Sequence, residues 1–196
     1  MKWAALVPLK TAPMRKSRLS GVLTPQERVA LTAAMLEHVL DRLRACPRIG
    51  VVRVLSPDPL TGVATIRDQG GGLNVEIGRA QAAIGHIPLI VIHADLPLLR
   101  ESDVEAVLSA AEASGQAIAP DRSFTGTNAV ALADGAPVAW SFGPASFDLH
   151  RTCLRSGHAV VRRRGLAADC DTPGDLSELL ASGFGFPRDA TRARYG

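Results

Sequence analysis

Segments with strand-like and helix-like hydrophobic periods alternate along the whole chain, and this alternation is the strongest constraint on its fold. Such a chain buries its apolar surface by packing helices against a largely parallel sheet. The 196 residues fit one domain, and 46% of them are hydrophobic, which is enough for a sizeable core. We therefore predict a single α/β domain over residues 1–196: a three-layer sandwich with a mostly parallel sheet, helices on both faces and a loose tail after about residue 186.

The periods and the turn residues between them set the expected elements. Strands are predicted at 3–9, 49–55, 64–67, 87–93, 117–119, 129–133 and 158–162, and helices at 24–45, 73–84, 102–113, 146–155 and after residue 172. Thr24, Pro25 and Glu27 have the spacing of a capping box with a first-turn proline. Ser102 is predicted to cap the helix that it begins.

Charge and composition narrow the classes of partner. The net charge is +3, and cations gather in clusters that suit phosphate groups. Only 4% of residues are aromatic, and no basic helix carries interleaved aromatic residues, so nucleic acid is a disfavoured partner. The strongest apolar run, at 87–92, is far shorter than the roughly 20 residues of a membrane-spanning helix.

The cysteines bear on the compartment. Cys46, Cys153 and Cys170 are far apart and contain no CxxC pair. We therefore expect three buried free thiols in a reducing cytosol, and a cytoplasmic protein without a membrane partner.

A cationic loop follows the first predicted strand. The chain lacks both the GxxxxGK[ST] loop and the GxGxxG turn, so a nucleotide must be held by other means. Residues 10–18 contain Lys10, Arg15, Lys16 and Arg18, and open α/β sheets bind ligands at the carboxyl ends of their strands. Lysine and arginine side chains at this place suit a triphosphate; the alternative is a solvated basic surface loop.

Three aspartates provide the acidic side of the predicted site. Asp95 follows the buried strand at 87–93, and Asp169 and Asp171 lie two residues apart, so an extended backbone would direct both carboxylates to one side. Together they offer the oxygen ligands that Mg²⁺ prefers. Asp171 is alternatively a cap of the last helix, and Asp95 a turn carboxylate. His93 is interpreted as a packed core histidine.

Three glycine-containing stretches are suited to binding through the backbone. Gly72 precedes a predicted helix, and Asn74 in its first turn can donate and accept at the edge of a base. The stretches 126–128 and 142–146 offer amides and hydroxyls to an anionic acceptor, although the same residues are also ordinary turn formers.

Together these segments resemble a known family, the guanylyltransferases that make the GMP-activated precursor of the deazaflavin coenzyme. The segments that carry the resemblance are Val7-Pro8-Leu9-Lys10, Lys16-Ser17-Arg18-Leu19, Gly72-Leu73-Asn74, Asp95-Leu96-Pro97-Leu98-Leu99, Pro120-Asp121-Arg122, Gly126-Thr127-Asn128, Phe142-Gly143 with Ser146-Phe147, and Asp169-Cys170-Asp171-Thr172-Pro173. The resemblance implies a nucleotide-diphospho-sugar transferase-like fold. It also implies transfer of GMP from GTP to phosphoenolpyruvate, 3-phospho-D-glycerate or 2-phospho-L-lactate, with release of pyrophosphate.

Carried onto this chain, the resemblance implies a role for each matching residue. Asp95, Asp169 and Asp171 are the catalytic ligands of two magnesium ions; Thr127, Gly143 and Ser146 hold the acceptor; Lys10, Lys16 and Arg18 contact the triphosphate of GTP, and Leu73 and Asn74 its guanine. The chain departs from the family at Ala145, where glycine is expected, and at Cys170, where an aliphatic residue is expected. The alternatives are a related nucleotidyltransferase that uses CTP or another acceptor, and a non-catalytic GTP-binding domain.

Overall fold

One sheet runs through the protein, whose computed structural model describes residues 2–9 and 16–188. Its seven strands are β1 (Trp3–Pro8), β2 (Ile49–Ser56), β3 (Ala64–Arg67), β4 (Leu89–Ile92), β5 (Gln116–Pro120), β6 (Thr127–Leu132) and β7 (Ala159–Val160). In space they are ordered β3-β2-β1-β4-β6-β5-β7. The pairings are parallel except where β6 meets β4 and β5, because β6 runs in the opposite direction. The predicted mostly parallel sheet is therefore confirmed.

Helices cover both faces of this sheet. They are α1 (Pro25–Ala45), α2 (Leu73–Ile84), α3 (Glu101–Ser114), α4 (Ser146–Cys153), α5 (Arg164–Ala167) and α6 (Pro173–Ala181), with a 3-10 helix at Ser17–Leu19. Alternate residues of a strand point to opposite faces. Ala5 and Ile90 share a buried cluster with α1 and α3, whereas Leu6 and Val91 pack with α2 and α4. This arrangement gives the three predicted layers.

The starts of two helices agree closely with the sequence prediction. The hydroxyl of Thr24 accepts the backbone N–H of Glu27 at 3.1 Å, and the Glu27 carboxylate accepts the N–H of Thr24 at 2.8 Å, which completes the capping box of α1. Helix α2 has the predicted bounds. Both helices have strong local signals at their ends.

The prediction that Ser102 caps α3 is wrong. The helix begins at Glu101, with Arg100 as its N-cap. The carboxylate of Asp103 accepts the backbone N–H of Arg100 at 3.0 Å. A charged carboxylate three residues into the helix is a strong hydrogen-bond acceptor and also interacts favourably with the helix dipole. The N-cap therefore lies two residues before the predicted Ser102.

The last third of the chain departs most from the predicted bounds. Strand β7 has two residues instead of five, because this edge strand pairs with β5 only at Ala117 and Ile118 before the chain enters α5, which was not predicted. Helix α4 ends two residues early. Cys46 and Cys170 are buried as expected, but Cys153 is exposed, so that expectation is wrong for one of the three thiols. No helix in the described residues combines the length and apolar character needed to span a membrane.

A third buried cluster holds the acidic segment before α6 in place. Leu19 and Met35 pack there against Cys170 and Leu176. Cys170 is therefore fixed inside the protein, whereas its neighbours Asp169 and Asp171 remain partly exposed. Packing of the apolar residue between two acids thus orients the acidic pair.

The turn before α4 contains a strained residue. Ala145 has φ 56° and ψ 24°, the left-handed conformation that glycine adopts readily and that costs an alanine about 1 kcal/mol. Its side chain is exposed, so little packing is associated with its methyl group. The strain arises at the position where the family resemblance calls for glycine.

Replacing Ala145 by glycine is therefore expected to raise the free energy of unfolding by roughly 0.5 to 1 kcal/mol, because the strain disappears. The matched control is Ala33→Gly, at an exposed position within α1, which should lower that free energy by about 1 kcal/mol. Urea denaturation followed by circular dichroism measures both. Equal destabilisation by the two substitutions would contradict the assigned strain.

Candidate active site

A cavity of about 340 Å³ opens at the carboxyl ends of β1 and β4. Its lining residues are Pro8, Leu9, Lys16, Ser17, Arg18, Thr32, Leu73, His93, Ala94, Asp95 and Asp171. The ends of parallel strands are the place where open α/β sheets bind ligands, because the loops that follow the strands diverge there. Five of the predicted site residues line this cavity: Lys16, Arg18, Leu73, Asp95 and Asp171.

The ammonium group of Lys16 lies between two of the predicted carboxylates. Its Nζ is 2.7 Å from Oδ2 of Asp95 and 2.8 Å from Oδ1 of Asp171. Only 6% of the Lys16 side chain is exposed. Burial by itself lowers the pKa of this lysine, but the charges of Asp95 and Asp171 outweigh burial and raise the pKa above its ordinary value. Lys16 is therefore firmly protonated.

Asp169 is the strained member of the acidic group. Burial, followed by repulsion from Asp95 and Asp171, raises the pKa of its carboxyl group to about 6. The nearby Lys16 acts in the opposite direction but does not compensate. Negative charge thus accumulates here beyond what one lysine neutralises.

The chemistry of these three carboxylates fits a hard divalent cation, since they offer oxygen ligands with surplus negative charge. As placed, however, no group of three or more His, Cys, Asp or Glu side chains within residues 2–9 and 16–188 is arranged so that it could hold a metal ion. The ammonium of Lys16 occupies the space between two of the carboxylates instead. The assignment to magnesium ions stays a prediction.

The cap of α6 fixes the backbone of Asp171. One oxygen of Asp175 accepts the backbone N–H groups of Asp171 at 3.1 Å and of Thr172 at 2.8 Å. The Thr172 hydroxyl in turn accepts the N–H of Asp175 at 3.3 Å. The capping role therefore belongs to Thr172 with Asp175, which leaves the Asp171 side chain to face Lys16 and the cavity.

The residues assigned to the acceptor lie on two neighbouring elements. Because β6 is antiparallel, its first residue, Thr127, lies at the same edge of the sheet as the ends of β1 and β4. Gly143, with φ 130°, and Ser146 belong to the turn that leads into α4. The turn between β5 and β6, just before Thr127, is held by Asp121. Its carboxylate accepts the N–H groups of Thr125 and Gly126 at 2.9 and 2.8 Å.

Asn74 is engaged by the main chain of Phe142. Its Nδ2 donates to the Phe142 carbonyl at 3.0 Å, and its Oδ1 accepts the Phe142 N–H at 2.7 Å. One N–H and one lone pair of the amide remain for another partner, so contact with guanine stays a prediction. Lys10, the other assigned triphosphate contact, lies outside the described residues.

His150, beside the predicted acceptor residue Thr127, is a residue that sequence reasoning did not single out. The ring is completely buried, and its Nδ1 is 3.1 Å from the hydroxyl oxygen of Thr127. Burial first, and then the nearby charge of His93, lower the pKa of His150 to about 4, although hydrogen bonding to the backbone of Ser146 opposes this shift. No ligand-like spacing marks this histidine, and its partners appear only in the folded structure.

Solved structures define the class of fold. A crystal structure from Desulfovibrio desulfuricans G20, described as a nucleotide-diphospho-sugar transferase, superimposes with a TM-score of 0.68 at 16% identity, over 99% of this chain and 91% of that one. The 4-diphosphocytidyl-2C-methyl-D-erythritol synthase of Anaerococcus prevotii gives 0.61 at 10% identity, over 92% and 95%. At such identities the likeness establishes the fold alone, which is that of nucleotidyltransferases.

Sequence relatives define the family. Residues 3–189 match the family described as guanylyl transferase CofC like. The phosphoenolpyruvate guanylyltransferase of Rubrobacter xylanophilus is 42% identical over 195 residues, covering 91% of this chain and 94% of the relative. That of Sphaerobacter thermophilus is 37% identical over 192 residues, covering 91% and 93%. The chain therefore belongs to the CofC-like guanylyl transferase family, and the protein is a nucleotidyltransferase.

The cost of keeping the Asp169 carboxylate charged gives a stability prediction. Its pKa is raised in the folded state, so the cost of its charge develops as the pH rises from about 3.8 to about 6 and is complete above that range. In metal-free buffer at neutral pH or above, Asp169→Asn is expected to raise the free energy of unfolding by roughly 1 to 2 kcal/mol.

Urea denaturation at pH 7.5 in the presence of a chelator measures this difference. Asp148→Asn is the matched control, because the Asp148 side chain is 77% exposed and should change stability little. Loss of stability on replacing Asp169 would contradict the repulsion described above.

Proposed function

We propose that this nucleotidyltransferase transfers GMP from GTP to the phosphate of phosphoenolpyruvate and releases pyrophosphate, as a step in making a deazaflavin coenzyme in the cytoplasm. The relatives at 37% and 42% identity, which bear the name phosphoenolpyruvate guanylyltransferase, support this acceptor. The observation that carries the proposal is the buried ion-paired Lys16 between Asp95 and Asp171 in the cavity at the strand ends. 3-Phospho-D-glycerate and 2-phospho-L-lactate are the other acceptors of the same class.

The reaction needs no general base. The second pKa of a phosphate monoester is about 6, so an acceptor oxygen is already ionised at neutral pH. This oxygen attacks the α-phosphorus of GTP in line, forming a new P–O bond. The bond from the α-phosphorus to the bridging oxygen breaks, and its electron pair leaves with pyrophosphate. The main obstacle is repulsion between two anions.

The residues assigned to the two substrates and to magnesium counteract that repulsion. Lys16 and Arg18 bring positive charge to the triphosphate, and Lys16 exchanges its carboxylate partners for phosphate oxygens when GTP binds. Asp95, Asp169 and Asp171 would hold magnesium, which supplies further charge neutralisation. Leu73 and Asn74 are assigned to guanine, while Thr127, Gly143 and Ser146 hold the acceptor at the start of β6 and α4.

The first prediction from this function is acceptor-dependent pyrophosphate release. With GTP and magnesium, phosphoenolpyruvate should support turnover and give a guanosine product in which a diphosphate links the nucleoside to the acid. Mass spectrometry of the product identifies it, and the two other phosphorylated acids are tested in parallel. A panel of GTP, CTP and ATP separates this function from that of a nucleotidyltransferase for another base. GTP binding without pyrophosphate release under any condition would instead favour a non-catalytic GTP-binding domain.

The second prediction concerns Asp171. Replacement by asparagine is expected to lower turnover by about 100-fold or more, because the site loses a negative ligand for the cation. Because Asp171→Asn also removes one of the two carboxylates that pair with the buried Lys16, thermal melting is used to separate loss of turnover from loss of stability. Asp148→Asn serves as the matched surface control and should retain full activity. Full activity of Asp171→Asn would refute the metal-binding assignment.

A further inference from the structure

His150 connects the two walls of the proposed acceptor site. The ring belongs to α4, and its two nitrogens face groups on different elements: the hydroxyl of Thr127 at the start of β6 and the main chain of Ser141. The rings of Phe142, at 4.6 Å between centroids, and of Trp140, at 6.4 Å, pack edge-on against it. The histidine is 0% exposed, so no solvent competes for its hydrogen bonds.

The partners determine which nitrogen carries the proton. A backbone N–H can only donate, and that of Ser141 points at Nε2 at 3.1 Å, so Nε2 must present its lone pair. Complete burial among aromatic rings keeps the imidazole uncharged. A neutral ring whose Nε2 accepts must carry its proton on Nδ1.

This tautomer also sets the role of Thr127. Because Nδ1 carries the proton, the Thr127 hydroxyl oxygen, 3.1 Å from that nitrogen, acts as an acceptor.

Through Ser141, His150 holds the start of the Ser141–Ser146 segment, which contains the predicted acceptor residues Gly143 and Ser146. Two other buried or half-buried side chains hold the same segment. Gln81 accepts the indole N–H of Trp140 at 3.0 Å, and Asn74 pairs with both backbone groups of Phe142. Among these three, His150 is the one whose second contact reaches β6 and Thr127.

We propose that His150 is the positioning residue of the acceptor site, acting as a neutral Nδ1–H imidazole that fixes the Thr127 hydroxyl relative to the Ser141–Ser146 segment. The proposal rests on the proposed function, because Thr127, Gly143 and Ser146 are the residues assigned to the phosphorylated acid. His150 itself does not touch substrate: it acts through the geometry of these residues. Loss of the bridge should therefore weaken acceptor binding and leave GTP binding intact.

Steady-state kinetics tests this separation. His150→Leu removes both hydrogen bonds and is expected to raise the KM for phosphoenolpyruvate by about ten-fold, with the KM for GTP changed less than about two-fold. His150→Gln keeps an acceptor for Ser141 and a donor for Thr127, so it should recover most of the acceptor affinity. A general loss of structure would instead raise both KM values together, and that result would overturn the proposal.

The matched control is the same pair of substitutions at His38. That histidine lies on α1 and contacts the Leu99 carbonyl at 2.9 Å on the other face of the sheet. Its leucine and glutamine variants should leave the KM for phosphoenolpyruvate unchanged. An equal increase at both histidines would overturn the specific role of His150.

Nitrogen-15 NMR of the wild-type imidazoles tests the geometry without any turnover. His150 should show a protonated Nδ1 and an unprotonated Nε2, and it should remain predominantly neutral down to about pH 5. The opposite tautomer would overturn the proposal even in an active enzyme. If instead the wild-type enzyme shows no turnover with any acceptor, the proposed function fails, and the NMR result still decides whether the bridge has the assigned hydrogen bonds. If His150→Leu does not fold, His150→Gln and the NMR measurement decide the matter.

Discussion

The contact of Lys16 with Asp95 and Asp171 joins three distant parts of the chain at one point, across sequence separations of 79 and 155 residues. A lysine buried to this extent is stable as a cation only with close anionic partners. The loop after β4 must therefore place Asp95, and the segment before α6 must place Asp171, beside Lys16 for the charge to be accommodated. The sheet positions the carboxylate of Asp95, and the buried cluster around Cys170 positions that of Asp171.

Much of this arrangement could be predicted from local patterns. Asp95 comes three residues after the end of a buried β-branched strand, and the 73–84 helix is bounded by glycines, so the sequence located both. The positions of Asp169 and Asp171 followed from their spacing of two residues. In the structure the charges of Asp95 and Asp171 help to raise the pKa of Asp169. In each case the relevant signal lies within a few residues of the predicted feature.

The features that sequence reasoning missed depend on tertiary contacts. His150 contacts Thr127 and Ser141, which are 23 and 9 residues away, and no local pattern marks such a bridge. Asn74 carried a signal for base recognition, but its position relative to Phe142 became visible only in the fold. The short β7 likewise reflects the limits of an edge strand, because pairing with β5 rather than its own sequence determines where it ends.

The reversed direction of β6 has a consequence for how the two substrates meet. The loops after β1 and β4 carry residues proposed for the nucleotide, whereas the beginnings of β6 and α4 carry Thr127 and Ser146, which are proposed for the acceptor. The start of a helix suits an anion because its first N–H groups are unpaired, and the loops after strand ends can vary freely in side-chain chemistry. A single antiparallel strand thus gives one edge of the sheet two chemically different halves, so that each half can change its specificity while the other is preserved.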